Sequence, residues 1–282
     1  MRQYSGRDPS RSSFREVIAI CWRLGRWLLL AYVIVAVGAH FYAASALFQP
    51  AYGSRAEPAG LLRIPQPQGE PLAGVYLPNP KAKYTIWFFH GNAEALGDTM
   101  PFLEAIRAHG YAVFAFDYPG YGLSAGEPTE ESVNAATLAA AFYLRHTLRV
   151  PLTQVVLYGH SLGGGPAVEL AAQVPVAGLV LQSAFTSVYR VMTHWRLLPF
   201  DKFENLAKIG HVSCPVFVMH GTFDRVVPFH HGQALFQAVP GRKAALWIDT
   251  AGHNNFLQVA GARYWAGLKH FTESLHEGNS PN

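Results

Sequence analysis

Cysteine is scarce in this sequence: Cys21 and Cys214 are the only two in 282 residues. Two thiols that far apart fit neither a disulfide framework nor a zinc site. No spacing of histidines and carboxylates reads as a metal site, and no glycine-rich loop reads as a nucleotide site, so no cofactor is expected. There is no low-complexity tract and no internal repeat. Charged residues make up 14% of the chain and hydrophobic ones 50%. That balance fits a globular chain with one large domain and an appendage. The formal net charge of +4 is unevenly placed. Arg2, Arg7, Arg11, Arg15, Arg23 and Arg26 stand in the first 26 residues, against Asp8 and Glu16. The rest holds 16 basic side chains (22 less six) and 16 acidic ones (18 less two). The excess is therefore a basic tail at residues 1–26, and no nucleic-acid partner is expected.

Charge is absent altogether from Trp27 to Phe48, which contains no Asp, Glu, Lys or Arg. A helix of those 22 residues spans about 33 Å, enough to cross a bilayer core. Aromatic residues stand at both ends, as at membrane interfaces. The arginines before it place the N-terminus in the cytoplasm and the following chain outside it. The expectation is a single-pass signal-anchor at 27–48 with the lipid bilayer as a partner. Two alternatives stay open: a buried core helix, and a signal peptide cleaved near Ala44-Ser45-Ala46. Residues 49–60, rich in proline and glycine, read as a linker to a domain at 61–282.

Beyond the linker, apolar runs alternate with amphipathic stretches. The runs are AGVYLP, YTIWFFHGN, AVFAFDYPG, VVLYGHS, GLVLQSA, PVFVMHG and AALWIDTAGH. The stretches at 100–110, 129–148, 230–239 and 254–275 have helical spacing. This predicts an α/β fold with a mostly parallel sheet flanked by helices. In such sheets, chemistry collects at the carboxyl ends of the strands.

One strand end carries Gly159-His160-Ser161-Leu162-Gly163, of the form G-x-S-x-G. Small residues on both sides of a serine between strand and helix point to a sharp turn that lifts the hydroxyl clear of the sheet. Asp224 and His253 also lie just past apolar runs. A serine needs an imidazole to take its proton, and the imidazole needs a carboxylate to hold its tautomer. Asp249 is a rival acid, less well placed because it lies so near His253 in sequence.

At this point the chain resembles the α/β-hydrolase fold, and in detail serine hydrolases of the BEM46/ABHD13-like type. The resemblance rests on HGNA at 90–93, DYPGYGLSAGEPTE at 117–130, GHSLGG at 159–164, FDKFENLAKI at 200–209, HGTFDRVVPF at 220–229 and AGHNNF at 251–256. It implies Ser161 as nucleophile, Asp224 as acid and His253 as base. It also implies an oxyanion hole from the N–H of Leu162 with that of Asn92 or Ala93. Glu94 departs from the glycine common at its position, and a carboxylate aimed inward there would oppose the developing charge. A short cap is expected at about 183–213. Its aromatic and aliphatic side chains, with Tyr118, Tyr121, Phe185, Tyr189 and Trp195 lining the site, favour hydrophobic acyl esters or thioesters. A peptidase with the same triad and a non-catalytic membrane-anchored module are the alternatives.

Overall fold

The structure is a computed structural model describing residues 9–193 and 197–275, without the side chains of residues 9–17, 40–46 and 192. It divides into two units, residues 1–46 and Leu47–Asn282.

The first unit is one long helix, α1 (Pro9–Leu47), whose last residue opens the second unit. Within it, Ile18–Ala39 is long and apolar enough for a membrane span, with a mean hydropathy of 1.7 and no buried residue. A signal sequence meets the same criteria. Leu28 and Leu29 are 72% and 63% exposed, so the described apolar window of the helix is not a buried core helix. Trp27–Ala39 is common to this window and to the segment expected at 27–48.

The second unit is an eight-stranded sheet with helices on both faces. In chain order it runs β1 (Leu61–Ile64), β2 (Leu72–Leu77), β3 (Thr85–Phe89), α2 (Leu96–Ala108), β4 (Ala112–Phe116), α3 (Glu130–His146), β5 (Val155–His160), α4 (Gly164–Gln173), β6 (Gly178–Gln182), α5 (Val188–Met192), α6 (Asn205–Lys208), β7 (Val216–Gly221), α7 (His230–Ala238), β8 (Lys243–Ile248), α8 (Phe256–Ala260) and α9 (Ala262–Ser274). The strand order is β1-β2-β4-β3-β5-β6-β7-β8. β2 runs antiparallel to both of its neighbours, and the remaining pairs are parallel.

The central strands are buried on both faces, which is why they read as continuous apolar runs. Alternation divides their side chains. Ile86, Phe88, Val156 and Tyr158 pack in one core with Leu103 and Ile106 of α2 and Leu268 and Phe271 of α9. Trp87, Phe89, Phe114 and Phe116 form an aromatic cluster apart from that core. Helix α3 begins at a reciprocal cap: Thr129 Oγ1 accepts from the Ser132 N–H, and Ser132 Oγ accepts from the Thr129 N–H. The stretch read as one helix at 254–275 is two, because Gly261 takes φ +52° between α8 and α9.

The segment read as a linker is held on the domain. Phe48 is 5% exposed and meets the Phe203 ring edge-on at 6.1 Å. Pro50–Tyr52 forms a 3₁₀ turn, and the Ser54 N–H donates to Asp98 Oδ2 at 2.7 Å. In the cap, Lys208 Nζ pairs with Glu130 of α3 and Glu169 of α4, and the Phe203 N–H donates to Glu130 Oε2.

Candidate active site

Parallel strands bring their carboxyl ends to one edge, and there Ser161, Asp224 and His253 meet. Ser161 follows β5 directly and holds φ +51°, a conformation that costs a non-glycine residue about 1–3 kcal/mol. The two glycines of the motif make this turn possible. A Cβ on Gly163 would lie 2.1 Å from the Phe89 carbonyl oxygen, and one on Gly159 would lie 2.6 Å from Gly164 Cα.

His253 Nε2 lies 2.9 Å from Ser161 Oγ, and its Nδ1 lies 2.7 Å from Asp224 Oδ2. A carboxylate only accepts, so Nδ1 carries the proton and Nε2 is left to accept from the serine hydroxyl. Ser161 is 9% exposed and Asp224 6%. Burial works against the Asp224 charge, but hydrogen bonds from His220, His253 and the Val227 N–H outweigh it and hold the carboxyl well below its usual range. The acid is thus ionised wherever the imidazole needs it. Asp224 Oδ1 also accepts from the N–H groups of Val226 and Val227 at 2.9 and 2.8 Å. The rival Asp249 is exposed, and among the described residues no hydrogen bond or ion pair joins its carboxylate to this network.

The sequence reading did not single out His220 as a brace. Its Nε2 lies 2.8 Å from the Val227 carbonyl oxygen and 3.4 Å from Asp224 Oδ2. The carbonyl only accepts, so the ring donates there and pins the acid loop.

The loop 90–96 forms the other wall. Leu162 lies in the 3₁₀ turn Ser161–Gly163, at a helix start where N–H groups have no intrahelical acceptor. Asn92 and Ala93 lie in the loop that follows the end of β3 at Phe89. Ala93 holds φ +61°, and its N–H donates to Asn92 Oδ1 at 3.0 Å. That N–H is therefore engaged, whereas the Asn92 N–H has no partner among the described residues. Asp117 supports the loop from below, accepting from the Leu96 N–H at 2.8 Å and the Leu123 N–H at 3.2 Å. Burial pushes its carboxyl up to about 7 and the neighbouring His90 down to about 4.

Of the side chains expected to line the site, Tyr118 and Tyr121 have no exposed surface. Tyr118 stacks on His90 at 4.0 Å and donates to its carbonyl, while Tyr121 donates to Asn92 Oδ1 at 2.6 Å. Both brace the loop from behind and offer a substrate nothing in this arrangement. Phe185 is 4% exposed. Tyr189 is half-buried against Phe200 at 6.2 Å. Trp195 lies outside the described residues. Exposed apolar side chains at this edge are Phe223 and Val226, on either side of Asp224, with Leu197 in the cap.

Comparison with known proteins adds an independent line. A family model for the alpha/beta hydrolase fold matches residues 84–208. The human alpha/beta hydrolase domain-containing protein 17B is 39% identical over 196 residues, 68% of this chain and 67% of its own length. That relative carries a different designation from the BEM46/ABHD13-like type, so the finer likeness is not what it supports. Among solved structures, an esterase from Pyrococcus furiosus superposes with a TM-score of 0.66 at 17% identity, covering 78% of this chain and 92% of its own. A monoacylglycerol lipase from Paleococcus ferrophilus superposes with a TM-score of 0.58 at 19% identity, covering 72% and 99%. At such identities the two structures speak for the fold.

Proposed function

The chain belongs to the α/β-hydrolase family, and on that footing we propose that it is a serine hydrolase cleaving carboxylic esters or thioesters with hydrophobic acyl groups. One observation carries the reading: the unbroken hydrogen-bonded line Ser161–His253–Asp224 at 2.9 and 2.7 Å, with the serine on a strained turn. Ser161 Oγ attacks the acyl carbon while His253 Nε2 takes its proton. The carbonyl oxygen becomes an oxyanion held by the N–H groups of Leu162 and Asn92. Collapse of the adduct breaks the bond to the alcohol or thiol, which leaves with the proton from His253. Water then repeats the sequence on the acyl-enzyme, releasing the acid and restoring Ser161. Oriented donors aimed at the oxyanion are worth about 10²–10³-fold in turnover each.

The substrate class is argued from the rim. Exposed Phe223, Val226 and Leu197, with the half-buried Tyr189 and Phe200 of the cap, suit an acyl chain better than a charged peptide terminus.

The apolar helix is the second part of this reading. Within Ile18–Ala39, the uncharged stretch from Trp27 onward anchors the chain in a bilayer, with the arginine-rich tail before it in the cytoplasm and the hydrolase unit outside. Leu47, held at the oxyanion loop, lies eight residues beyond Ala39. Even fully extended, eight residues reach no more than about 28 Å, so the chain keeps the site near the membrane surface and near acyl chains held there.

The test is a serine-directed phosphonate on the full chain. It labels Ser161, and Ser161→Ala abolishes both labelling and turnover of acyl esters while the fold persists. Labelling that survives this substitution overturns the assignment. A panel of acyl esters and thioesters of graded chain length then reads the substrate class.

A further inference from the structure

The chain that leaves the apolar helix ends against the oxyanion loop. The Asn92 side-chain amide is held on all sides. Its Oδ1 accepts from the Gln49 N–H at 2.9 Å, the Ala93 N–H at 3.0 Å and the Tyr121 hydroxyl at 2.6 Å. Its Nδ2 donates to the Leu47 carbonyl. The backbone N–H groups can only donate and the carbonyl can only accept, so the orientation of the amide is fixed. The Gln49 N–H is shared with the Tyr121 hydroxyl at 3.0 Å. Between these two bonds Phe48 turns inward, 5% exposed, onto Phe203. Phe203 is 1% exposed, and a Cβ on Gly165, four residues after the nucleophile, would lie 2.3 Å from its ring. Leu47, Phe48 and Gln49 thus reach both walls of the site. Through Asn92 they hold the loop whose His90 carbonyl lies against Gly163 of the serine turn, and through Phe203 they rest on the helix that follows the nucleophile turn.

We propose that Leu47–Gln49 is a positioning strap for the oxyanion hole, so that the membrane-proximal chain is part of the catalytic apparatus as well as a tether. The physical need for it is local. Ala93 sits in a left-handed conformation that an L-residue holds only when its surroundings over-determine it. The donor at stake is the N–H of the preceding residue. Hydrogen bonds from two separate segments, Gln49 and Tyr121, fix the Asn92 amide and through it the turn. Without the strap the turn relaxes, and the N–H shifts away from the point where negative charge develops. The ground-state ester binds through its acyl chain and is little affected. The loss therefore falls on turnover and leaves KM almost unchanged.

The inference rests on the hydrolase reading, and the experiment separates the two. Full-length variants Phe48→Ala, Asn92→Asp and Tyr121→Phe are assayed on a soluble short-chain acyl ester, with melting followed in parallel. Asn92→Asp keeps an acceptor but cannot donate to the Leu47 carbonyl. Each variant is expected to lose about tenfold or more in kcat, within the 10²–10³ ceiling of one oxyanion donor, with KM changed less than about threefold. Phe48→Leu, which keeps an apolar plug, restores most of the loss. A protease site inserted after Ala46 gives a further arm. Cutting there leaves Leu47–Gln49 with the hydrolase unit, so kcat on the soluble ester is retained. If Phe48→Ala does not fold, Tyr121→Phe still decides, because its buried ring is unchanged. A kcat within twofold of wild type in Asn92→Asp and Tyr121→Phe, with Ser161→Ala inactive, overturns the strap and leaves the hydrolase. Loss of activity on cutting after Ala46 also overturns the strap as the sufficient element. A wild-type chain with no phosphonate-reactive Ser161 removes the hydrolase reading and the strap with it.

Discussion

Glu94 Oε2 stands 3.4 Å from His160 Nδ1 and accepts the Gly91 N–H at 2.8 Å. The carboxylate that the sequence left as a threat to the oxyanion therefore has partners within its own wall of the site, with a histidine as counter-charge. Burial opposes the Glu94 charge, but the His160 charge and hydrogen bonds from His160 and Gly91 outweigh it and hold the carboxyl down at about 2. Burial likewise disfavours a charged His160, and Glu94 outweighs it, raising the imidazole above its ordinary 6.5.

This pair predicts a pH window. A lowered carboxyl contributes stability above its ordinary 4.5, and the contribution is lost as pH falls towards about 2. A raised imidazole contributes below 6.5, and that contribution is lost as pH rises through its shifted value. The advantage of wild type over Glu94→Gln is therefore largest between pH 4.5 and 6.5 and shrinks on both sides. Melting temperatures of the two proteins across pH 3–9 check it. A difference that stays constant over that range removes the ion pair from the account.

The two candidate acids separate kinetically. Asp224→Asn is expected to lower kcat by about 10⁴-fold, because the imidazole is left in the wrong tautomer. Asp249→Asn, on the exposed side of its turn, stays within about twofold. Equal damage from both substitutions in folded protein would mean that Asp224 is not the acid.

Gly163→Ala tests the turn itself. Its Cβ would lie 2.1 Å from the Phe89 carbonyl oxygen and 2.8 Å from that of His90, both backbone atoms. Overpacking of this kind costs about 1–3 kcal/mol or more, and it pushes β3 away from the nucleophile turn. The expected result is a lower melting temperature together with loss of phosphonate labelling at Ser161. Gly210→Ala, where nothing lies within 4 Å, is the matched control and changes neither. A Gly163→Ala protein that melts and labels like wild type contradicts the close packing of this turn.

Asp117 predicts a second pH effect, of opposite sign to that of Glu94. Burial raises its carboxyl from 3.8 to about 7, so its neutral form is the one the fold favours. That contribution is full below pH 3.8 and is lost as pH rises through about 7. Asp117→Asn cannot ionise, although its amide replaces one acceptor with a donor opposite the Leu123 N–H. The deficit of the variant relative to wild type is therefore larger at pH 5 than at pH 8. Denaturant midpoints at the two values measure it, and a deficit that grows with pH contradicts the raised carboxyl.

Much of this molecule follows from local sequence. All seven apolar runs contain strands, and for the central β3, β4 and β5 the reason is burial on both faces of the sheet, which leaves an unbroken apolar record. The serine turn is legible because only small residues tolerate its contacts, and the chain order of Ser161, Asp224 and His253 follows once each lies past a strand. β1 escaped notice, being four residues long with Arg63 exposed, too short for any period to show. What tertiary structure decided is how residues far apart in sequence share polar partners. Tyr118 and Tyr121 look like site-lining aromatics in a motif, yet their hydroxyls bond to His90 and Asn92 and their rings are sealed inside. Glu94 looks repulsive until His160 is seen beside it. Leu47 and Phe48 read as the end of the apolar span and Gln49 as the first residue of a linker, because the uncharged run ends there and proline and glycine follow. Their bonds to Asn92, 43 and 45 residues away, come from backbone groups, which every residue carries and which composition therefore cannot reveal.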